Sequence, residues 1–416
     1  MKSEEDERYT PRKREELRQK REQEVRKQKK ILCCVVIALV LIGIGVIIWR
    51  NLRQKAVEVS GKENAVQTVE TNEAVDQQNE SPEAESSEED RQIYQREGKT
   101  EDTAEIVIAG DLCFAEDGFV LDHYDEVGSL PQCISQEILD ITNAADIFYI
   151  NHEFCTSEQG EPLEGKLYTF RANPERNTLL EEMGTDIVSL ANNHVYDYGA
   201  SAFLDTLDYL DAANIPYVGG GRNKEEANRP VYFDVGGIRI GFVAATNAEL
   251  TLYTPAATED SPGVLEAYDT TEYNQVIAKA AAQCDFLIAY IHWGTEDVNW
   301  HTEEQTEQGR QFLAAGADIV VGGHPHVLQG IEYVDEKPIV YSLGDFWFND
   351  ETKYTGLLKL NIMKDGLKEM SFVPCLQTGY TTQYISDAQG QRELYDYLQG
   401  LSPNIIVNDV GVILKQ

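Results

Sequence analysis

Short apolar runs alternate with amphipathic segments along most of the chain after residue 104. Five runs have the length and β-branched content of buried strands: EIVIAGD, DIFYIN, DIVSLANNH, DFLIAYIHWG and DIVVGGH. The segments between them show helical spacing, near Pro131–Asn143, Pro174–Met183, Gly199–Ala213, Thr271–Gln283 and Glu303–Ala315. This alternation predicts an α/β fold with parallel strand pairs.

Other runs predict antiparallel pairing. The pattern of the segment VYFDVGGIRIGFVAAT predicts a β-hairpin that turns at Gly236 and Gly237. PIVYSLGDF, GLLKLNIM and EMSFVPCL predict further strands toward the end of the chain. Hairpins combined with strand–helix–strand units predict mixed sheets.

The segment Ile31–Trp49 carries no charge over 19 residues. A helix of that length spans roughly 28 Å, close to the hydrocarbon thickness of a bilayer. Basic residues are denser on its N-terminal side, which predicts that residues 1–30 stay in the cytoplasm and the rest faces outward. A cleaved signal peptide is the alternative, but the long charged tail and the lack of a small-residue cleavage site favour a retained transmembrane helix.

The balance of basic and acidic residues also changes just after this segment, near residue 55. The first 55 residues hold 15 basic and 8 acidic residues, and the remainder holds 20 basic and 64 acidic ones. Residues 50–104 are rich in Glu, Gln and Ser and poor in aromatics, which predicts a disordered acidic linker before a domain at 105–416. An acidic body of this kind repels phosphate backbones, so no nucleic-acid partner is expected.

The cysteines are a poor disulfide framework. Two lie within the apolar helix, and an odd number is scattered beyond it: Cys113, Cys133, Cys155, Cys284 and Cys375. We expect free thiols, with at most one adventitious bridge.

Polar residues recur immediately after the predicted strands. In open α/β sheets, ligands bind outside the carboxyl ends of the strands, so these side chains are expected in one cleft. They are Asp111, Asn151, Glu153, Asn192, Asn193, His194, His292, His324 and His326.

Their residue types suit divalent metals. Carboxylates, an amide oxygen and neutral imidazoles form the predicted ligand set, which is Asp111, Glu153, Asn193, His292, His324 and His326. One or two ions of Mn, Zn or Fe are the expected cofactor. His194 is placed as a general acid, and Asp197 is placed to orient it. Each residue also has a structural alternative as a turn former, a helix cap or a packed ring, and only their joint occurrence favours the metal site.

Several longer motifs resemble the bacterial capsule-synthesis protein CapA family. They are LYTFRANPE, SLANNHVYDYGASAFLDTLDYLDAANIPYVGGGRN, IHWGTE and GADIVVGGHPHVLQGIEYVDEKPIVYSLGDFWF. That family is associated with poly-γ-glutamate synthesis and export and is similar to calcineurin-like metallophosphoesterases. The resemblance covers about residues 105–348 and implies a β-sandwich flanked by helices.

The metallophosphoesterase pattern implies the same ligands and the same acid. Asp111 takes the first position, Glu153 the bridging one, and Asn193-His194 the ligand and catalytic pair. The remaining ligands implied by the pattern are His292 and the two histidines of the Gly-His-Pro-His turn that ends at His326. Cys113 stands where that pattern has an imidazole, and Asp345 stands where the CapA-like pattern has an asparagine.

The resemblance implies a membrane-anchored protein of the cell surface that assists synthesis or export of an anionic polymer such as poly-γ-glutamate. Its partners would be that polymer and membrane-embedded synthase subunits, and its chemistry metal-assisted hydrolysis or transfer. Two other functions stay open: a non-catalytic accessory that binds polymer or synthase, and a surface metallophosphodiesterase.

Overall fold

Two large β-sheets dominate the folded part of the chain. The structure, a computed structural model, describes residues 92–100, 102–116, 119–248 and 253–416. The predicted transmembrane helix at 31–49, the tail before it and most of the predicted linker lie outside these residues. Among the helices of the described ranges, none is both long enough and apolar enough to cross a membrane.

The strands of the described residues are numbered in chain order. They are β1 (Gln92–Arg96), β2 (Ala104–Leu112), β3 (Ile147–His152), β4 (Cys155–Thr156), β5 (Arg171–Ala172), β6 (Ile187–Ser189), β7 (Tyr217–Val218), β8 (Gly220–Gly221), β9 (Val231–Val235), β10 (Ile238–Thr246), β11 (Gly263–Val264), β12 (Phe286–His292), β13 (Ile319–Gly323), β14 (Ile331–Val334), β15 (Lys337–Val340), β16 (Asp345–Trp347), β17 (Lys353–Met363), β18 (Gly366–Thr378), β19 (Thr381–Tyr384), β20 (Ile405–Val407) and β21 (Ile413–Lys415).

The α-helices are numbered in the same way. They are α1 (Phe119–Val127), α2 (Gln136–Ala144), α3 (Thr178–Glu182), α4 (Gly199–Ala212), α5 (Lys224–Ala227), α6 (Thr270–Ala281), α7 (Glu303–Ala315) and α8 (Ala388–Gly400). Short 3₁₀ turns precede α2 and α3, at Leu130–Gln132 and Pro174–Asn177.

Both large sheets are mixed. The first has the order β1-β9-β10-β12-β13-β15-β14, and its central strands β10, β12, β13 and β15 are parallel. The second has the order β19-β18-β17-β2-β3-β6-β7, with β16 paired to β2. There β2, β3, β6 and β7 run parallel, while β17, β18 and β19 are antiparallel. The predicted mixed α/β architecture is confirmed.

The main hydrophobic core lies between the two sheets. Ile106, Ile108 and Tyr149 from the second sheet pack with Phe242 and Ile288 from the first. The Tyr149 and Phe242 rings stack with centroids 5.7 Å apart, so the inner faces of the two sheets pack directly against each other.

Helices cover the outer faces. Buried residues of α2 and α4, such as Ile138 and Leu207, pack on the outer face of the second sheet. Residues of α6 and α7, such as Ile277 and Phe312, pack on the outer face of the first. Both faces of the central strands are therefore buried, which is why those strands read as continuous apolar runs.

The predicted boundary of the folded domain at residue 105 was too late. Strand β1 pairs in parallel with β9, and the Tyr94 and Phe233 rings stack with centroids 5.3 Å apart. Residues 92–96 therefore belong to the first sheet and not to a disordered linker. The strand has only Ile93 and Tyr94 as apolar residues and finds its partner far along the chain, so it has little local signal.

A close backbone approach joins β2 to the turn before β16. Asp111 N donates to Gly344 O at 2.9 Å, and β16 runs parallel to the end of β2. A Cβ atom on Gly110 would lie 1.8 Å from Gly344 O, so only glycine fits there. This contact sets the spacing between Asp111 and Asp345, which are register partners.

Replacing Gly110 with alanine is expected to destabilise the protein by about 3 kcal/mol or more, because the new methyl group meets backbone that cannot rotate away. Gly400→Ala is the matched control, since a Cβ atom there has no neighbour within 4 Å among the described residues. Urea unfolding of both variants measures the difference. Equal stabilities would contradict this account of the β2–β16 contact.

Candidate metal and acid–base site

The carboxyl ends of strands from both sheets meet at one end of the sandwich. The site residues lie at the carboxyl ends of β2, β3 and β6 in the second sheet and of β12 and β13 in the first, or in the loops that follow them. The structure brings together all eight residues that the sequence predicts for the site. They are Asp111, Glu153, Asn193, His194, Asp197, His292, His324 and His326.

Asn151 links the two predicted carboxylate ligands. Its Nδ2 donates to Asp111 Oδ1 at 2.8 Å and to Glu153 Oε2 at 3.1 Å. Asn192 holds Asn151 in turn, by donating to its Oδ1 at 3.0 Å. Side chains alternate along a strand, so Asn151 and Glu153 share one side while His152 faces away toward Phe154.

His292 and Asn193 form a second pair within the cluster. His292 Nε2 lies 2.9 Å from Asn193 Oδ1 and 3.5 Å from Glu153 Oε1. The backbone oxygen of Asn193 accepts hydrogen bonds from Lys166 Nζ and Thr254 Oγ1. These contacts hold the loop after β6 against the end of β12.

The Gly-His-Pro-His turn after β13 has a strained backbone. His324 and His326 have φ values of 94° and 56°, a region that costs a non-glycine residue about 1–3 kcal/mol. His324 N donates to Asp111 Oδ2 at 2.9 Å. A Cβ atom on Gly323 would lie 2.1 Å from Tyr290 Oη and 2.5 Å from Asp111 Oδ1. Strain of this kind at a cluster of functional side chains favours the ligand role over that of an ordinary turn.

Asp345 belongs to the cluster although sequence reasoning gave it no definite role. Its Oδ1 lies 2.8 Å from His326 Nδ1, and its side chain is fully buried. Its position after the Ser-Leu-Gly turn was the available signal, because that turn also follows a buried strand. Its partner His326 could not be inferred from local sequence.

His194 and Asp197 form a hydrogen-bonded pair. His194 Nδ1 lies 2.7 Å from Asp197 Oδ2, which also accepts from the backbone N of Phe170 at 2.7 Å. Lys166 Nζ lies 2.7 Å from Asp197 Oδ1, with both side chains almost fully buried. Lys166 was missed because it lies in a mostly exposed loop remote in sequence from its partners.

Burial raises the pKa values of two carboxylates in the cluster and lowers those of two imidazoles. It raises the pKa of Asp111 and, with the Asp111 charge nearby, raises the pKa of Glu153 well above its usual range. Burial lowers the pKa of His292 and His324 well below the usual range. Burial by itself lowers the pKa of His326, but the charges of Asp345 and Glu153 outweigh it and raise that pKa well above its ordinary value.

The residues fit a divalent cation. Three overlapping groups place potential ligand atoms within 4.8 Å of one another: Asp111, Glu153 and His292; Glu153, His324 and His326; Asp111, His326 and Asp345. Glu153 Oε1 and His324 Nδ1 are buried and make no hydrogen bond among the described residues. Buried polar atoms ordinarily have partners, so these two have the character of ligand atoms.

Cys113 does not supply a further ligand atom among these groups. It is buried in the core on the outer face of the second sheet, and burial raises the pKa of its thiol well above its usual range. All five cysteines of the described residues are free.

Metal binding is expected to release at least one proton at neutral pH. The pKa of His326 is raised by the charges of Asp345 and Glu153, which favours the protonated imidazole in the metal-free protein, and its coordinating nitrogen must lose the proton to bind an ion. The pKa values of His292 and His324 are lowered, so neither is expected to release a proton. The dissociation constant should therefore fall as the pH rises, by about tenfold per pH unit for each proton released, until the pH passes the pKa of His326.

Calorimetric titration with Mn²⁺ in buffers of different ionisation enthalpy measures this proton count. A double variant, His324→Ala with His326→Ala, should bind Mn²⁺ far more weakly. A pH-independent affinity in the intact protein would show that the charge balance described above is wrong.

Comparison with solved structures gives weak similarities. The NAD nucleotidase of Haemophilus influenzae aligns at a TM-score of 0.38 with 14% identity, over 72% of this chain and 63% of that one. The 5′-nucleotidase of Candida albicans aligns at 0.36 with 12% identity, over 68% and 54%. Similarity at this level supports no inference about activity.

The amino-acid sequence is similar to those of bacterial capsule biosynthesis proteins. The capsule biosynthesis protein CapA of Bacillus anthracis is 33% identical over 210 residues, which are 49% of this chain and 50% of that protein. The PGA biosynthesis protein CapA of Bacillus subtilis is 31% identical over 246 residues, 58% and 64% of the two chains. The match thus spans less than two thirds of either relative. The profile of the family described as bacterial capsule synthesis protein PGA_cap matches residues 105–350, more than half of the chain, and the chain belongs to that family.

Proposed function

We propose that this protein assists the synthesis or export of an anionic capsular polymer, such as poly-γ-glutamate, at the outer face of the cell membrane. It would act through a divalent-metal site that performs hydrolysis or transfer at an amide or ester of the polymer. The observation that carries the proposal is the convergence of buried carboxylates and imidazoles beside the His194–Asp197 pair. Membership of the capsule synthesis family supports the polymer as substrate class.

The ligand atoms would come from both sheets. The ion or ions would be held by six side chains: Asp111, Glu153, Asn193, His292 and the two histidines of the turn after β13. A divalent cation there would supply Lewis-acid polarisation of the oxygen on the scissile group.

His194 would act as the general acid. With its ring doubly protonated, Nδ1–H donates a hydrogen bond to Asp197 Oδ2, and the Nε2 proton is available to the leaving nitrogen or oxygen. Asp197 fixes the ring orientation, and the ion pair with Lys166 fixes Asp197. Asn192 Oδ1 accepts from the backbone N of His194 at 3.0 Å, which holds the acid beside the ligand Asn193.

Electrostatics constrain how a polyanion would reach this site. The chain beyond residue 55 carries 64 acidic and 20 basic residues, so its surface repels a polyglutamate in the absence of counterions. Cations bound at the cleft would reduce that repulsion locally. We therefore expect polymer binding to depend on divalent metal.

Removing the acid should reduce turnover without removing the metal. His194→Gln is expected to lower the rate on γ-glutamyl amides by roughly 10²–10⁴-fold, while Mn²⁺ affinity stays within about threefold of the original protein. Chromatography of the released amine, with metal supplied in excess, measures the rate. His123→Gln is the matched control, because this half-buried residue of α1 contacts Tyr380 and is not part of the cluster.

The outcomes separate the candidate functions. Unchanged polymer export in cells that carry only His194→Gln would favour a non-catalytic accessory that binds polymer or synthase subunits. Metal-dependent turnover of small phosphodiesters, but not of glutamyl amides, would favour a surface phosphodiesterase. Either result would contradict the proposed chemistry.

The anchor is proposed from the uncharged segment 31–49 and the basic residues before it. The full chain should sediment with membranes and resist extraction by high salt, and a chain that starts at residue 56 should stay in the supernatant. External protease should remove the domain of the full chain from intact cells whose cell wall has been digested. Protection from that protease would mean that the orientation is reversed.

A further inference from the structure

Asp345 is fully buried, and hydrogen bonds engage both of its carboxylate oxygens. Oδ1 accepts from His326 Nδ1 at 2.8 Å. Oδ2 accepts from Asn349 Nδ2 at 3.2 Å and from Gln377 Nε2 at 3.3 Å. We propose that Asp345 is a positioning residue, which holds the His326 ring so that its Nε2 is presented to the metal. This role rests on the proposed metal site.

The contrast with Glu153 supports a positioning role over direct ligation. Glu153 Oε1 is buried without a hydrogen bond among the described residues, as a ligand atom should be. Asp345 instead accepts hydrogen bonds on both oxygens, and its Oδ1 accepts the N–H of His326, itself a predicted ligand. A carboxylate that accepts the N–H of a ligating imidazole fixes the tautomer and the ring orientation.

The orientation of His326 agrees with this role. With Nδ1 directed at Asp345, Nε2 lies 3.7 Å from Glu153 Oε1, within the group that also contains His324. The Phe348 ring packs against the imidazole with centroids 4.6 Å apart. One edge of the ring is hydrogen-bonded and the ring is also packed, so it is fixed before an ion arrives.

His326 also has a φ of 56°, in the left-handed region that non-glycine residues seldom adopt. Lys353 extends the support. Its Nζ lies 4.0 Å from Asp345 Oδ2 and 3.0 Å from Asp297 Oδ1, and Asp297 N donates to Pro325 O at 2.9 Å. Asp345 and the turn are thus connected through one lysine.

The test compares three variants of the full chain. Asp345→Ala removes the acceptor, and Asp345→Asn keeps the shape but removes the charge. Glu351→Gln is the matched control, because this exposed carboxylate also pairs with Lys353 but does not touch His326. Titration with Mn²⁺, followed by electron paramagnetic resonance, gives affinity and stoichiometry. Electron spin-echo modulation reports coordinated imidazole nitrogen.

Asp345→Ala should weaken Mn²⁺ binding by roughly 10–100-fold at unchanged stoichiometry and reduce the imidazole modulation. Asp345→Asn should lie between it and the original protein, because an amide oxygen can still accept from Nδ1. Glu351→Gln should change neither readout. Circular dichroism of the metal-free variants checks folding, and Asp345→Asn serves if Asp345→Ala does not fold.

Two results would overturn the positioning role while leaving the proposed function intact. One is an unchanged affinity in both Asp345 variants. The other is loss of one full equivalent of bound ion, which would make Asp345 a ligand. Failure of the unsubstituted chain to bind any divalent ion would overturn the metal site itself and this role with it.

Discussion

The electrostatic balance of one buried cluster is the constraint around which this end of the sandwich is organised. Asp111, Glu153 and Asp345 are fully buried close to one another. Buried carboxylates of like charge repel each other and lose their hydration, so they need either protons or cations. Burial raises the pKa of Asp111 and Glu153, which shows how unfavourable their ionised forms are without a cation. Divalent cations would relieve both costs at once, and that is the physical case for a metal site.

The fold holds these groups together by rigid elements. The carboxylates follow or belong to the strands β2, β3 and β16, and the three imidazoles end or follow β12 and β13. Gly110 permits a close backbone approach, and Gly323 leaves room for the Tyr290 and Asp111 side chains; a Cβ atom at either position would block the contact. Hydrogen bonds from Asn151 and the backbone of His324 then fix the carboxylates. The His194–Asp197 pair lies on the adjoining loop after β6, where Lys166 forms an ion pair with Asp197.

Much of this arrangement could be predicted from the sequence, because strands buried on both faces give continuous apolar runs and polar side chains follow their carboxyl ends. Helix α7 was predicted with the bounds that the structure gives it, and its capping box at Thr302 and Gln305 explains its sharp start. Helix α8 was missed, since Gly390 interrupts its first turn, although Asp387 was an available N-cap signal. The roles of Lys166 and Asp345 depend on contacts between residues distant in sequence, and no local pattern specifies them.

Anomalous diffraction from crystals grown with Mn²⁺ would locate any ion bound by the cluster. We expect one or two anomalous peaks within about 2.0–2.6 Å of its carboxylate oxygens and imidazole nitrogens, including Glu153 and His324. Asp345 should remain hydrogen-bonded to His326. Strong anomalous peaks elsewhere on the protein, with none among these residues under saturating metal, would contradict the metal site.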